Sequence, residues 1–201
     1  MPLFLKRLIL LTSITAAFAG DKELSKFEVR AAASYPSHQT SDKITIGADV
    51  IETDDQARPA FGKANPYNDG VLPVLVVIQN NRPHALRVDR LLADYVAADR
   101  SRIENTPAQD LRFLKGAKQP SMSPGPVGGI HIKRKKQPLS EWEIEGRAFT
   151  AKMIPPGESA SGFLYFQTGH RTGSTLYLSG LRDAVSGEEL LYFEIPLAAV
   201  R

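Results

Sequence analysis

Hydrophobic and polar residues alternate along several short stretches of the chain. Residues 26–33 alternate in this way, and residues 43–51 do so again. Successive side chains of a β-strand point to opposite faces, so a period of two predicts a strand in each stretch. Between residues 52 and 70 the chain is polar and rich in turn residues, which predicts a loop anchored by Phe61 and Tyr67.

Residues 71–78 form a nearly continuous apolar run. Such a run is typical of a central strand that is buried on both faces. Pro73 has no N–H to donate, so we expect it near the start of the strand or on an unpaired side. The sequence Asn80-Asn81-Arg82-Pro83 then predicts a turn.

The next segment, residues 85–98, is ambiguous. Its apolar residues change parity near Arg90 and Leu91, which predicts a β-bulge. A short helix over residues 90–98 fits the same spacing. Further on, residues 110–115 predict one helical turn, and the capping-box pair Ser140 and Glu143 predicts a short helix that carries Trp142.

The last third of the chain contains four strand candidates separated by turn residues: 148–154, 160–167, 175–181 and 190–197. Together with the earlier segments they give about eight strands and no alternation of helices with strands. The sequence therefore predicts an all-β protein, an antiparallel β-sandwich with one or two short helices.

The N-terminus follows a different pattern. Lys6 and Arg7 precede the apolar stretch 8–19, which ends in Ala17-Phe18-Ala19. This order is typical of a secretory signal peptide cut after Ala19, and the stretch is shorter than the ~20 residues that a spanning helix needs. An uncleaved anchor or a buried helix is the alternative. We expect residues 1–19 to be removed and residues 20–201 to form one exported domain, periplasmic or extracellular, without a transmembrane segment.

Charge and cysteine content exclude several classes of function. Removing residues 1–19 takes away two basic and no acidic residues, so the formal net charge falls from +3 to +1. A nearly neutral chain gives no electrostatic reason to expect nucleic acid. The sequence has no cysteine, which excludes disulfides, thiol catalysis and cysteine-type zinc sites. No cofactor is predicted.

Residues 116–138 form a long insert rich in proline, glycine and lysine. Loops of this length are usually functional or disordered. The densest charge of the chain lies at its end, so the predicted partner-binding residues are Lys133, Arg134, Lys135, Lys136 and the neighbouring Trp142. A solvated loop, or charges that protect an edge strand from aggregation, would explain the same run.

The sequence bears on two other kinds of site, a metal site and a catalytic site. A cluster of carboxylates, which are the ligands that Ca²⁺ prefers, predicts a possible metal site at Asp49, Glu52, Asp54 and Asp55; a solvated acidic loop is the alternative. No serine lies in a nucleophile elbow and no two histidines have i, i+4 spacing, so no catalytic residue is predicted. Glutamates around Trp142 are compatible with a carbohydrate hydrolase, which stays an alternative function.

Three blocks of sequence resemble those of small exported bacterial immunoglobulin-like domains. They are Val-Ile-Gln-Asn-Asn at 77–81, Ala-Leu-Arg-Val-Asp-Arg-Leu at 85–91 and Pro-Pro-Gly-Glu-Ser-Ala-Ser-Gly-Phe-Leu-Tyr-Phe at 155–166. The resemblance covers about residues 43–99 and 148–197. It implies an immunoglobulin-like sandwich and carries no catalytic residue.

These patterns together predict an exported, non-enzymatic binding or structural module of the bacterial cell envelope. Its expected partner is an envelope protein or polysaccharide. The alternatives are a secreted carbohydrate-active hydrolase and an adhesion domain stabilised by calcium through residues 49–55.

Overall fold

A computed structural model describes residues 27–114, 139 and 142–198. These residues form a mostly β protein, which confirms the predicted class. All strand pairs are antiparallel. The strands are β1 (Ser37–Ser41), β2 (Ile44–Val50), β3 (Leu72–Asn80), β4 (Leu86–Arg87), β5 (Leu92–Val96), β6 (Arg102–Glu104), β7 (Met153–Ile154), β8 (Ser159–Phe166), β9 (Thr175–Ser179), β10 (Arg182–Asp183) and β11 (Phe193–Pro196).

The strands are arranged in two larger sheets and one small one. The first sheet has the order β1-β2-β3-β8, the second sheet has the order β11-β9-β5-β6, and the small sheet has the order β10-β4-β7. Alternate residues of the two larger sheets point toward each other and form the main core. Large members of this core are Ile46, Val76, Tyr95, Phe166, Leu178 and Phe193.

A second core lies on the other face of the first sheet. Three short helices supply part of it: α1 (Asp54–Phe61), α2 (Ala108–Leu111) and α3 (Trp142–Gly146). Phe61, Leu111 and Ile144 pack there against Leu75 and Val77 of β3. Since Val74 and Val76 of the same strand belong to the main core, β3 is buried on both faces, as the continuous apolar run predicted.

The N-terminal strand prediction is wrong. Residues 27–31 are not in a strand, Ala32–Ser34 form a 3₁₀ helix, and the first strand, β1, begins only at Ser37. The segment crosses β2 instead of pairing with it. Gly47 allows this crossing, because a Cβ at that position would overlap the carbonyl oxygen of Ala32.

Residues 52–70 contain a helix where we expected only a loop. Thr53 caps α1 through a complete capping box with Gln56. Pro59 lies inside the helix, and proline is unfavourable in a helix interior. The helix forms because Ala57, Ala60 and Phe61 are buried on one side of it.

Residues 85–98 form neither a bulge nor a helix. The chain leaves β4 in the small sheet, turns with the Leu91 N–H donating to the Val88 carbonyl (3.1 Å), and enters β5 of the second sheet. The change of parity therefore marks a change of sheet. The described residues contain more strands than the predicted eight because 85–98 divides into β4 and β5, and because the short strands β1, β6 and β10 were not predicted.

The predicted helical turn and the capping-box helix correspond to α2 and α3, so with α1 there is one helix more than the one or two expected. None of the helices in the described ranges has the length and apolar character required to cross a membrane.

Gly180 fixes the start of β5 next to the end of β9. Its φ is +80°, and a Cβ would overlap the carbonyl oxygen of Arg90. Gly180→Ala is expected to lower the free energy of unfolding by about 2–3 kcal/mol, since strain and steric overlap add. Gly187→Ala is the control, because its φ is +72° but its Cβ position is open. It should cost only about 1–2 kcal/mol. Urea denaturation of both variants measures the difference, and equal losses would contradict the proposed overlap.

Candidate functional site

The outer face of the second sheet carries the side chains that alternate with the core residues. In β5, Ala93 and Tyr95 point into the core, so Leu92, Asp94 and Val96 point outward. The same alternation in the other three strands, with Tyr192 directly before β11, defines the rest of this surface, which we call the outer face: Arg102, Glu104, Thr175, Tyr177, Tyr192 and Glu194.

Strand register sets these residues in rows across the sheet. Tyr177 is opposite Glu194 on one side and Asp94 on the other, and Asp94 is in turn opposite Glu104. The adjacent row places Thr175 opposite Val96, and Val96 opposite Arg102. Residues from three distant parts of the chain thus meet on one flat surface.

Two tyrosines and one arginine form a stack on the outer face. The rings of Tyr177 and Tyr192 have centroids 5.2 Å apart and an interplanar angle of 26°. The guanidinium carbon of Arg102 lies 4.7 Å from the Tyr177 ring centroid. Arg102 also donates to the Asp94 carboxylate at 3.2 Å. Both faces of the Tyr177 ring are therefore occupied, and the guanidinium is held in place.

The carboxylates of the outer face differ in their pairing. Asp94 is paired with Arg102, whereas the carboxylates of Glu104 and Glu194 have no ion pair within residues 27–114, 139 and 142–198. Asp94 and Glu104 are directly opposite each other in the register. Arg102 offsets the repulsion that two like charges would otherwise produce across this strand pair.

The surface is exposed and shallow. Leu92 is 66% exposed and Tyr192 is 52% exposed. A depression between Val96, Arg102, Thr175, Tyr177 and Glu194 has a volume of about 120 Å³. Pockets for drug-sized ligands usually enclose about 300–1,000 Å³. The outer face therefore suits a broad contact better than an enclosed small molecule.

The acidic residues predicted as a metal site have separate partners. Asp49 lies 3.9 Å from Arg30, and burial raises the pKa of Asp49. Asp54 accepts hydrogen bonds from the side chains of Asn65 and Asn68, which lower its pKa. Asp55 pairs with Arg58, and the Glu52 backbone N–H donates to Gln56. Within the described part of the chain no three histidine, aspartate or glutamate side chains are grouped to hold a metal.

The predicted partner-binding residues Lys133, Arg134, Lys135 and Lys136 lie outside the described residues, as do the predicted signal peptide 1–19 and the whole insert 116–138. Trp142 begins α3, and only its place in the helix is described.

A buried ionic cluster that could not be identified from the sequence lies at the small sheet, around Asp183 of β10. Asp183 is 2% exposed, and its carboxylate accepts hydrogen bonds from the backbone N–H groups of Val185 and Ser186. Arg82 donates to the same carboxylate at 3.1 Å, and His84 lies 3.2 Å from it. The backbone donors, His84 and Arg82 hold the Asp183 pKa well below its usual range.

A second polar cluster involves Tyr95, His170 and Ser174. The Arg171 N–H donates to the Tyr95 hydroxyl at 2.8 Å, while the His170 Nδ1 lies 3.4 Å from that hydroxyl and 3.3 Å from the Ser174 Oγ. Ser174 is only 1% exposed. The Ser174 hydroxyl is therefore not accessible to a substrate. The hydrogen bonds of the cluster hold the loop before β9 in place.

The chain is similar to solved structures whose descriptions state no function. No family model and no curated protein matches the chain. One similar crystal structure is a Northeast Structural Genomics Consortium target, SoR45, with 14% identity and a TM-score of 0.34 over 79% of this chain and 88% of that one. Another is a functionally unknown protein from Listeria monocytogenes EGD-e, with 11% identity and a TM-score of 0.33 over 80% of this chain and 82% of that one.

Proposed function

We propose that this protein is an exported, non-enzymatic binding module of the bacterial cell envelope, and that it contacts a protein partner through the outer face. The observation that carries the proposal is the exposed stack of Tyr192, Tyr177 and Arg102 beside Leu92. Tyrosine and arginine are the residue types that most often dominate protein–protein binding energy. Here they are held in a fixed arrangement on a rigid sheet, which lowers the entropic cost of binding.

The geometry favours a protein over a neutral glycan. A sugar ring binds an aromatic side chain by stacking on an open ring face. Tyr192 and Arg102 pack against the Tyr177 ring, so Tyr177 offers its hydroxyl and ring edge rather than an open face. Hydroxyls and edges suit hydrogen bonds and packing against protein side chains.

The remaining parts of the proposal come from the sequence. The N-terminal pattern supports export, and the two antiparallel sheets around one core are compatible with an immunoglobulin-like sandwich. The basic run at residues 133–136, with Trp142, stays a predicted second contact. The outer face is the surface for which the described contacts give a specific argument.

The test is photo-crosslinking in cells that express and export the full chain. A photoreactive amino acid is placed at Leu92, which is 66% exposed on the outer face, and in a separate strain at Val185, which is 73% exposed near the end of the sandwich. We expect one discrete protein adduct from position 92 and none from position 185. Similar exposure makes the second position a matched control.

Adding Tyr177→Ala to the position-92 strain should reduce the adduct strongly, because the stack is the proposed anchor. Equal adducts from both positions, or no adduct from position 92, would refute a specific contact at the outer face. Thermal melting of the variant checks that the loss of the adduct is not a loss of fold.

A further inference from the structure

We infer that the partner presents a basic segment, with two lysine or arginine side chains flanking an apolar one, to the outer face. This inference rests on the proposed function and names the chemistry of its partner.

The outer face carries more negative than positive charge. The row through Tyr177 contains three carboxylates, Asp94, Glu104 and Glu194. Arg102 in the adjacent row is already paired with Asp94. Glu104 and Glu194 therefore remain as two carboxylates that have no cationic partner among the described residues. Complementary charges guide association and select a partner of opposite sign.

The placement of the charges leaves Glu104 available to a partner. Asp94 and Glu104 are directly opposite each other in the register, and Arg102 pairs with Asp94. Among the described residues Arg102 has no ion pair with Glu104, so a cation of the partner can pair with Glu104 without displacing Arg102 from Asp94.

The spacing of Glu104 and Glu194 matches that of alternate residues in an extended peptide. Glu194 lies on β11 and Glu104 on β6, three strand spacings away, so they are separated by roughly 14 Å. An extended chain advances about 3.3 Å per residue, and residues i, i+2 and i+4 point to the same side. Two basic residues at i and i+4 can therefore reach the two glutamates, while an apolar residue at i+2 lies over Tyr177.

The probe is a peptide with blocked ends and the sequence Lys-Thr-Leu-Thr-Lys, titrated into ¹⁵N-labelled protein obtained by expression and export of the full chain. Chemical-shift changes are expected at residues 92–96, 102–104 and 175–179. The matched peptide Glu-Thr-Leu-Thr-Glu should leave these signals unchanged. Since the contact uses exposed charges, raising the salt concentration should weaken it.

The double variant Glu104→Gln and Glu194→Gln should bind the lysine peptide roughly tenfold more weakly, because two exposed ion pairs are lost. The control is Glu158→Gln with Glu188→Gln, which changes the net charge equally at two exposed positions elsewhere. It should bind as the unchanged protein does. Glu104→Lys should also weaken peptide binding, since it changes the charge of the outer face by as much as the double variant does.

The outcomes separate this inference from the proposed function. Equal binding of both peptides, or unchanged affinity in the Glu104 and Glu194 variant, would overturn the basic partner even if the position-92 adduct forms. A position-92 adduct that glycosidases degrade and proteases do not would also overturn it, since the partner would then be a polysaccharide. Absence of any position-92 adduct contradicts the proposed function itself.

Discussion

Asp183→Ala is expected to lower the free energy of unfolding by about 3–5 kcal/mol, because it removes one of the two carboxylates that pair with a largely buried arginine and the acceptor of two backbone N–H groups. Arg82 has a side chain that is 16% exposed and pairs with both Asp183 and Asp42. The Asp183 carboxylate also accepts the backbone N–H groups that close the turn after β10. The substitution therefore removes the contacts that join Arg82 and His84 to the turn after β10.

The same variant makes a prediction about pH. The pKa of Asp183 is depressed in the folded protein, so its contribution is complete above its unfolded pKa of about 3.9 and is lost as the pH falls below that value. Urea denaturation at pH 7, 5 and 3 should give a large difference between wild type and variant at the two higher values. The difference should shrink at pH 3.

Asp99→Ala is the control for this prediction. Asp99 also accepts a turn N–H, from Ser101, but its side chain is 61% exposed. We expect a loss of about 1 kcal/mol or less. An Asp183 variant that loses no more than the Asp99 variant would contradict a stabilising role for the buried cluster.

Replacing Tyr177 and Tyr192 together by alanine is expected to weaken binding of the captured partner at least 30-fold, or about 2 kcal/mol. The variant removes the two rings and the surface against which the Arg102 guanidinium packs. Isothermal titration calorimetry with the purified partner measures the change. The side chains lie on an exposed face, so the melting temperature should change little.

Phe113→Ala provides the matched control, since Phe113 is an aromatic side chain that is 75% exposed just after α2. Its removal should change the affinity by less than twofold. If the Phe113 variant loses as much affinity as the double tyrosine variant, the binding surface lies on the helical side of the molecule.

The sequence predicted the parts of the fold that depend on long, regular patterns. Residues 43–51 and 71–78 overlap β2 and β3, and the pattern of the second also predicted its burial on both faces. The helix α1 was missed because residues 52–70 are mostly polar and include many turn residues, so they were interpreted as a loop although Thr53 and Gln56 form a capping box. Its formation depends on packing against the first sheet, which no local pattern contains.

The outer face could not be predicted, because it depends on strand order and register. Each strand shows its own alternation, and the polar positions of 175–179 and 92–96 are visible in the sequence. However, Tyr177 meets Asp94 only because β9 pairs with β5, and it meets Tyr192 only because β11 lies on its other side. The sequence analysis favoured the basic run at 133–136 instead, since consecutive charges are conspicuous without any knowledge of pairing.

The most direct test of the proposed binding surface is the yield of crosslinked adduct from position 92 relative to position 185 in exporting cells. A discrete protein adduct from position 92, which disappears with Tyr177→Ala and is absent at position 185, is the predicted result. No adduct at position 92, or equal yields at both positions, would contradict the outer face as the site of partner binding.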